Sequence, residues 1–75
     1  MPIINVRVVE GVFTPAQKKE IANKMTDAIV QIEGEAFRPL TLVVIDEVKS
    51  GDWVVGGQQI TTQAAKAIAA GRSAA

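Results

Sequence analysis

The chain has no cysteine, no histidine and no tyrosine. Without cysteine no disulfide can staple the fold, and losing histidine as well removes the commonest zinc ligands. Aromatic residues are scarce, being Phe13, Phe37 and Trp53 alone. Eight basic and eight acidic side chains cancel, which leaves no electrostatic footprint for nucleic acid or an anionic membrane surface. No apolar run approaches the ~20 residues of a membrane span. The apolar start is interrupted by Asn5 and Arg7 and lacks a charged leader, unlike a secretion signal. A soluble, cytoplasmic protein is expected, with neither nucleic acid nor membrane as partner.

Length sharpens these exclusions. Seventy-five residues make a single domain over 1–75, with a frayed tail expected at about 72–75. A chain of this size buries only roughly 60% of its unfolded surface, so a core of its own is marginal. With staples and zinc excluded, association with further copies is the remaining way to bury a chain that is 48% hydrophobic.

The same absences narrow the chemistry. Asp, Glu and Lys are the side-chain bases available, and their reference pKa values of ~4 and ~10 lie far from neutrality. An α-amino group, at ~8, needs only a small shift to act at pH 7. Removal of Met1, usual when the second residue is small, would make Pro2 a free secondary amine. A strand beginning beside that amine would fix it in space, where most chain ends are loose.

Ile3 to Val9 reads as that strand, rich in β-branched residues. Ile4, Val6 and Val8 point one way, and Ile3, Asn5, Arg7 and Val9 the other. After an exit loop at Glu10–Phe13, Thr14-Pro15-Ala16-Gln17 carries a helix start, with Thr14 as N-cap and Gln17 completing a capping box. The helix should run to about Ile32, bury Ile21, Met25, Ala28, Ile29 and Ile32, and end in a left-handed cap at Gly34. Pro39 discourages helix just before it. A near-continuous apolar strand follows from Leu40 to Val48.

Strand, helix and strand make a β-α-β unit with parallel strands and a right-handed crossover. The helix can cover one sheet face, and another subunit must cover the other. Lys49–Asp52 reads as a turn, Trp53–Val55 as a short extended piece, and Gly56-Gly57 as letting the backbone turn sharply or approach something closely. Thr61 or Thr62 is placed to cap a last helix to about Ala70, stopped by Gly71. The expected class is α/β (α+β): a two-stranded parallel sheet with a short C-terminal hairpin and helix, completed by oligomerisation.

The Met-Pro-Ile start, Val9-Glu10-Gly11, Thr14-Pro15-Ala16-Gln17-Lys18-Lys19, Val43–Val48 and Gly51-Asp52-Trp53-Val54-Val55-Gly56-Gly57 together resemble the 4-oxalocrotonate tautomerase family, over roughly residues 2 to 60. The resemblance implies a cofactor-independent enzyme that assembles as dimers or hexamers and moves a proton between oxygen and carbon of a small enol or keto acid. By position, Pro2 is its general base and then acid. Trp53 falls on the family's aromatic pocket wall, and a substrate-binding backbone N–H falls near Val9.

Two positions depart from the family pattern. Arginines that grip carboxylates are replaced by Val12 and Leu42, which disfavours a dicarboxylate dienol and favours a mono-carboxylate or neutral enol. Arg38, four residues before Leu42, is the candidate replacement; Arg7 is a second, and neither matches the motif. The ordinary readings stand beside these: Trp53 as packing, Arg38 as an exposed loop residue, and Asp46 and Glu47 as ion-pairing groups on opposite strand faces. The rival function is a diverged, non-catalytic assembly or ligand-binding subunit. Related dehalogenation or decarboxylation chemistry is the third, and it lacks a clear water-activating group.

Overall fold

The structure is a computed structural model and describes residues 1–71. The tail expected at 72–75 lies outside the described residues. The elements in order are β1 (Ile3–Val9), α1 (Pro15–Glu33), a 3-10 helix (Glu35–Leu40), β2 (Leu42–Val48), β3 (Trp53–Val55), β4 (Gln58–Ile60) and α2 (Thr62–Ala69). β1 pairs with β2, and β3 with β4. This is the expected β-α-β arrangement, with a parallel two-stranded sheet followed by a hairpin and a helix. The chain forms two compact units, to both of which β1 and β2 contribute.

The first unit comprises Met1–Val6 and Phe13–Asp46. Ile4, Val6, Val43 and Ile45 are half-buried, while Ile3, Asn5, Leu42 and Val44 are exposed. One sheet face is therefore covered and the other open. α1 is the element of this unit long enough to cover the first.

Its start follows the sequence closely. The Thr14 hydroxyl accepts from the Gln17 N–H at 3.1 Å, and the Gln17 side chain accepts from the Thr14 N–H at 2.9 Å. Together they satisfy donors that have no partner inside the helix.

The buried face of α1 differs from the expected one. Val30 is its most buried residue, at 4% exposure. Ala22, Thr26, Ile29 and Glu33 are half-buried beside it. Met25 and Ala28 are exposed and Ile32 is 86% exposed. Of the expected face, Ile21 and Ile29 are half-buried while Met25, Ala28 and Ile32 are not, so the stripe is shifted toward 22/26/29/30/33.

Gly34 ends α1 with φ 107° and ψ 152°. That is glycine-specific backbone but extended in ψ, so the expected left-handed cap does not form. The chain turns directly into the 3-10 helix, which includes Pro39 despite the expectation against helix there. The bonds that close this turn come from Phe37 N–H to the Gly34 carbonyl and Thr41 N–H to the Arg38 carbonyl. Neither requires the donor that proline lacks. Leu40 is taken up in this turn, so β2 begins at Leu42 rather than Leu40.

The second unit comprises Arg7–Val12 together with Glu47 and the residues after it. Gly51 (φ 88°) sits in a turn closed by Asp52 N–H to the Lys49 carbonyl at 2.9 Å. β3 and β4 are antiparallel, with Trp53 opposite Ile60 and Val55 opposite Gln58. The loop between them is Gly56-Gly57, at φ 57° and 82°. Positive φ at both central residues is what a type I′ hairpin turn demands. Thr61 rather than Thr62 caps α2, its side chain accepting from the Ala64 N–H.

Candidate active site

Pro2 lies immediately before β1 and is half-buried. Its carbonyl accepts the Leu42 N–H at 3.2 Å, so the residue is tied to the start of β2 instead of swinging free. In a parallel ladder this bond sets Ile3 beside Leu42. Both side chains are largely uncovered, at 59% and 60%. The residue bonded to Pro2 and its neighbour along the chain, Leu42 and Ile3, are thus both aliphatic. Leu42 occupies one of the positions where the resemblance would have placed an arginine.

Arg38 belongs to the same unit, in the 3-10 helix, and is half-exposed. Its guanidinium is engaged with the chain's own carboxylates. Nε donates to Glu35 at 2.7 Å, Nη1 to Asp27 at 2.7 Å and Nη2 to Glu35 at 3.3 Å. Those hydrogen bonds hold the Arg38 pKa above its ordinary value and draw the Glu35 carboxyl below its own. A substrate carboxylate would have to compete with both.

Val9 and Trp53 belong to the second unit. Val9, at 8% exposure, is one of two buried hydrophobic residues among those described. The next residue, Glu10, donates its N–H to the Val48 carbonyl at 2.8 Å. Backbone groups alternate in direction along a strand. The Val9 N–H consequently points to the edge of β1 away from β2, where no strand pairs among the described residues. Trp53 is half-buried at the first position of β3. Val12, the other position lacking an expected arginine, is half-buried just after Gly11.

No site role was expected for three polar residues of this unit. The Glu10 carboxylate accepts the Ser50 N–H at 3.2 Å, and the Ser50 hydroxyl accepts the Thr62 N–H at 3.0 Å. The Thr62 hydroxyl donates to the Glu10 carbonyl at 2.7 Å. These bonds form a closed ring. The sequence marked Glu10 by its place in the Val9-Glu10-Gly11 stretch, Ser50 as part of a turn and Thr62 as a candidate helix cap, but did not join them. Glu47, read as an ion-pairing group, accepts the Gly11 N–H at 3.3 Å.

Among the described residues no helix is long and apolar enough to cross a membrane. Nor does any group of three or more acidic side chains there suit a metal ion.

Comparison with known proteins agrees with this architecture. A family model described as tautomerase enzyme matches residues 2–63, and the chain belongs to the tautomerase family. Probable tautomerase K2 of Dickeya dadantii (strain 3937) is 34% identical over 61 residues, covering 81% of this chain and 90% of that protein. YwhB, a homologue of 4-oxalocrotonate tautomerase, aligns with a TM-score of 0.68 and 28% identity over 77% of this chain and 92% of its own. DmpI from Helicobacter pylori gives 0.68 and 29% over 79% and 95%. Membership supports tautomerase-type isomerase activity in general.

Proposed function

We propose that this protein is a cofactor-independent keto–enol tautomerase in which Pro2, freed of Met1, is the general base and then the acid. The observation that carries the reading is the anchoring of Pro2 at the head of β1 by Leu42. A catalytic amine must be held still relative to its substrate, and this bond holds the residue that bears it. The aliphatic side chains of Ile3 and Leu42 supply the second requirement. When they are covered, the low-dielectric surroundings disfavour an ammonium ion and bring the amine toward neutrality at pH 7. The neutral amine takes a proton from the enol oxygen, and its conjugate acid returns one to carbon.

The substrate is a mono-carboxylate or neutral enol, because Val12 and Leu42 offer no cation to a second carboxylate. The Val9 N–H, on the open edge of β1, is the donor to the substrate oxygen, and Trp53 is an aromatic wall. Arg38 is the remaining candidate for a single carboxylate, at the cost of its bonds to Glu35 and Asp27. Residues 1–75 act as one tautomerase-like domain in the cytoplasm, self-associated as a dimer or hexamer. The open sheet face of Ile3, Leu42 and Val44 supports that association.

Three forms of the protein test the mechanism with one enol, phenylenolpyruvate, after equal assembly is verified. They are the chain beginning at Pro2, Pro2→Ala, and the chain retaining Met1. General-base catalysis contributes ~10²–10⁴-fold. Pro2→Ala keeps a primary amine and should lose only part of that. Retained Met1 converts the nitrogen to an amide and should lose all of it. The kcat/KM profile of the mature form should rise through a group below ~8. Full activity with Met1 in place would refute Pro2 as the base. No activity in any form, across a panel of enols, would favour the non-catalytic reading that the apolar Val12 and Leu42 invite.

A further inference from the structure

The Trp53 hairpin is fastened at both of its feet to one residue. Ser50 lies three residues before Trp53, and Thr62 lies two after Ile60, the residue opposite Trp53. Both are joined to Glu10: Ser50 through the carboxylate, Thr62 through the carbonyl. The Ser50 hydroxyl closes the ring by accepting the Thr62 N–H. Gly51 adds a bond from its N–H to the Ile60 carbonyl at 3.3 Å, directly beneath the hairpin.

Glu10 itself has little freedom. Its N–H is bonded to Val48, its carbonyl to Thr62 and its carboxylate to Ser50. It adjoins Val9 on one side and Gly11 on the other, and the Gly11 N–H is bonded to Glu47. The approach of the two segments is close. A Cβ added at Gly11 would meet the Thr62 Cγ2 at 3.2 Å, and Gly11 has φ 75°. The chain is held tightly at the point where β1 ends and α2 begins.

We infer that Glu10, Ser50 and Thr62 are positioning residues that fasten the Trp53 hairpin to the end of β1 that carries the Val9 N–H, and so govern substrate affinity. This rests on the proposed roles of Val9 and Trp53. The ring touches no reacting atom. Its effect runs through the two groups of this unit that would contact a bound enol, and neither of them carries the proton. Loosening the ring should therefore weaken binding of substrate and transition state alike, raising KM with kcat little changed. A ring serving stability alone would change melting temperature and leave KM where it is.

Thr62→Val tests this, since it keeps the branched shape and removes the hydroxyl donated to Glu10. Thr62→Ser restores the donor. With phenylenolpyruvate, Thr62→Val should raise KM ~3–10-fold, the range from losing one neutral hydrogen bond, while kcat stays within about twofold. Thr62→Ser should return KM to near wild type. Trp53 is the sole tryptophan, so its emission reports ligand binding without turnover. Quenching by a non-reactive phenyl-carboxylate analogue should give the same shift in affinity.

Glu10→Gln, which keeps an acceptor for Ser50, should be milder than Glu10→Ala. The inference is overturned if folded Thr62→Val keeps the wild-type KM and quenching curve, or if Thr62→Ser fails to rescue them. It is also overturned if kcat falls while KM holds. An inactive wild type that still binds the analogue would instead refute the catalytic reading and leave the ring's role in binding standing.

Discussion

Val44→Asp tests the open sheet face at its middle. Val44 is 38% exposed and shares that face with Ile3 and Leu42, at 59% and 60%. In an isolated chain the aspartate's carboxylate can reach water, and its cost is a strand-propensity loss of about 1 kcal/mol or less plus about 0.9–1.9 kcal/mol for the part of Val44 already covered. In an assembly that covers the face, two terms add. Burying the remaining part of a valine is worth about 0.6–1.1 kcal/mol, taking ~1.5–3 kcal/mol for the whole side chain. An unpaired carboxylate moved out of water adds several kcal/mol.

A two-fold interface carries the substitution twice. Association should weaken by ~5 kcal/mol or more, or more than a thousandfold at 1.4 kcal/mol per decade. The assay is sedimentation velocity across ~1–100 μM, with Val44→Thr as the isosteric control. Circular dichroism melts at the same concentrations complete it, because melting of an assembled protein depends on concentration. Val44→Asp should shift the population to smaller species and lower the melting temperature, while Val44→Thr should stay close to wild type. A wild type that sediments as a folded monomer, or a Val44→Asp variant that assembles equally well, would refute the covered face.

Thr14→Ala removes one of the two reciprocal capping bonds and should cost about 1 kcal/mol. The melting temperature would fall by ~4–8 °C at constant assembly, and Thr14→Ser should recover most of it. Val12→Arg returns a cation to a position the resemblance assigns to carboxylate binding, and should raise kcat/KM for a dicarboxylate dienol by roughly tenfold, a charged hydrogen bond's lower range. No gain would place the carboxylate elsewhere, with Arg38 next to test. Glu20 and Glu35 have carboxyls drawn below their ordinary range, chiefly by hydrogen bonds from Lys24 and Arg38. A lowered folded pKa stabilises above the unfolded carboxyl's pKa of ~4.3, and that contribution disappears as pH falls through the folded value. The melting gap between wild type and Glu35→Gln should therefore be present near pH 6, close toward pH 3, and shrink in high salt.

Sequence determined the features whose causes are local. The capping box of α1 needs only Thr14 and Gln17 at their spacing. The hairpin turn at Gly56-Gly57 needs only two adjacent residues free to take positive φ. The alternation of β1 came through as far as Val8, with Ile4, Val6 and Val8 half-buried and Ile3, Asn5 and Arg7 exposed, whereas Val9, on the side of the latter, is buried. Pro2 stood out because the chain offers so few groups able to gain or lose a proton near neutrality.

Tertiary structure decided what depends on partners distant in the chain. Periodicity gave α1 an apolar side, but the sheet beneath selects the line of closest approach, and Val30 rather than Ile32 lies on it. The engagement of Arg38 depends on Asp27, eleven residues back, on an element whose orientation no local pattern specifies. The ring at Glu10 joins positions 40 and 52 residues further along. Hydrogen bonds at such separations leave no periodic trace, because their geometry exists only once the strands have set the ends of the chain segments side by side.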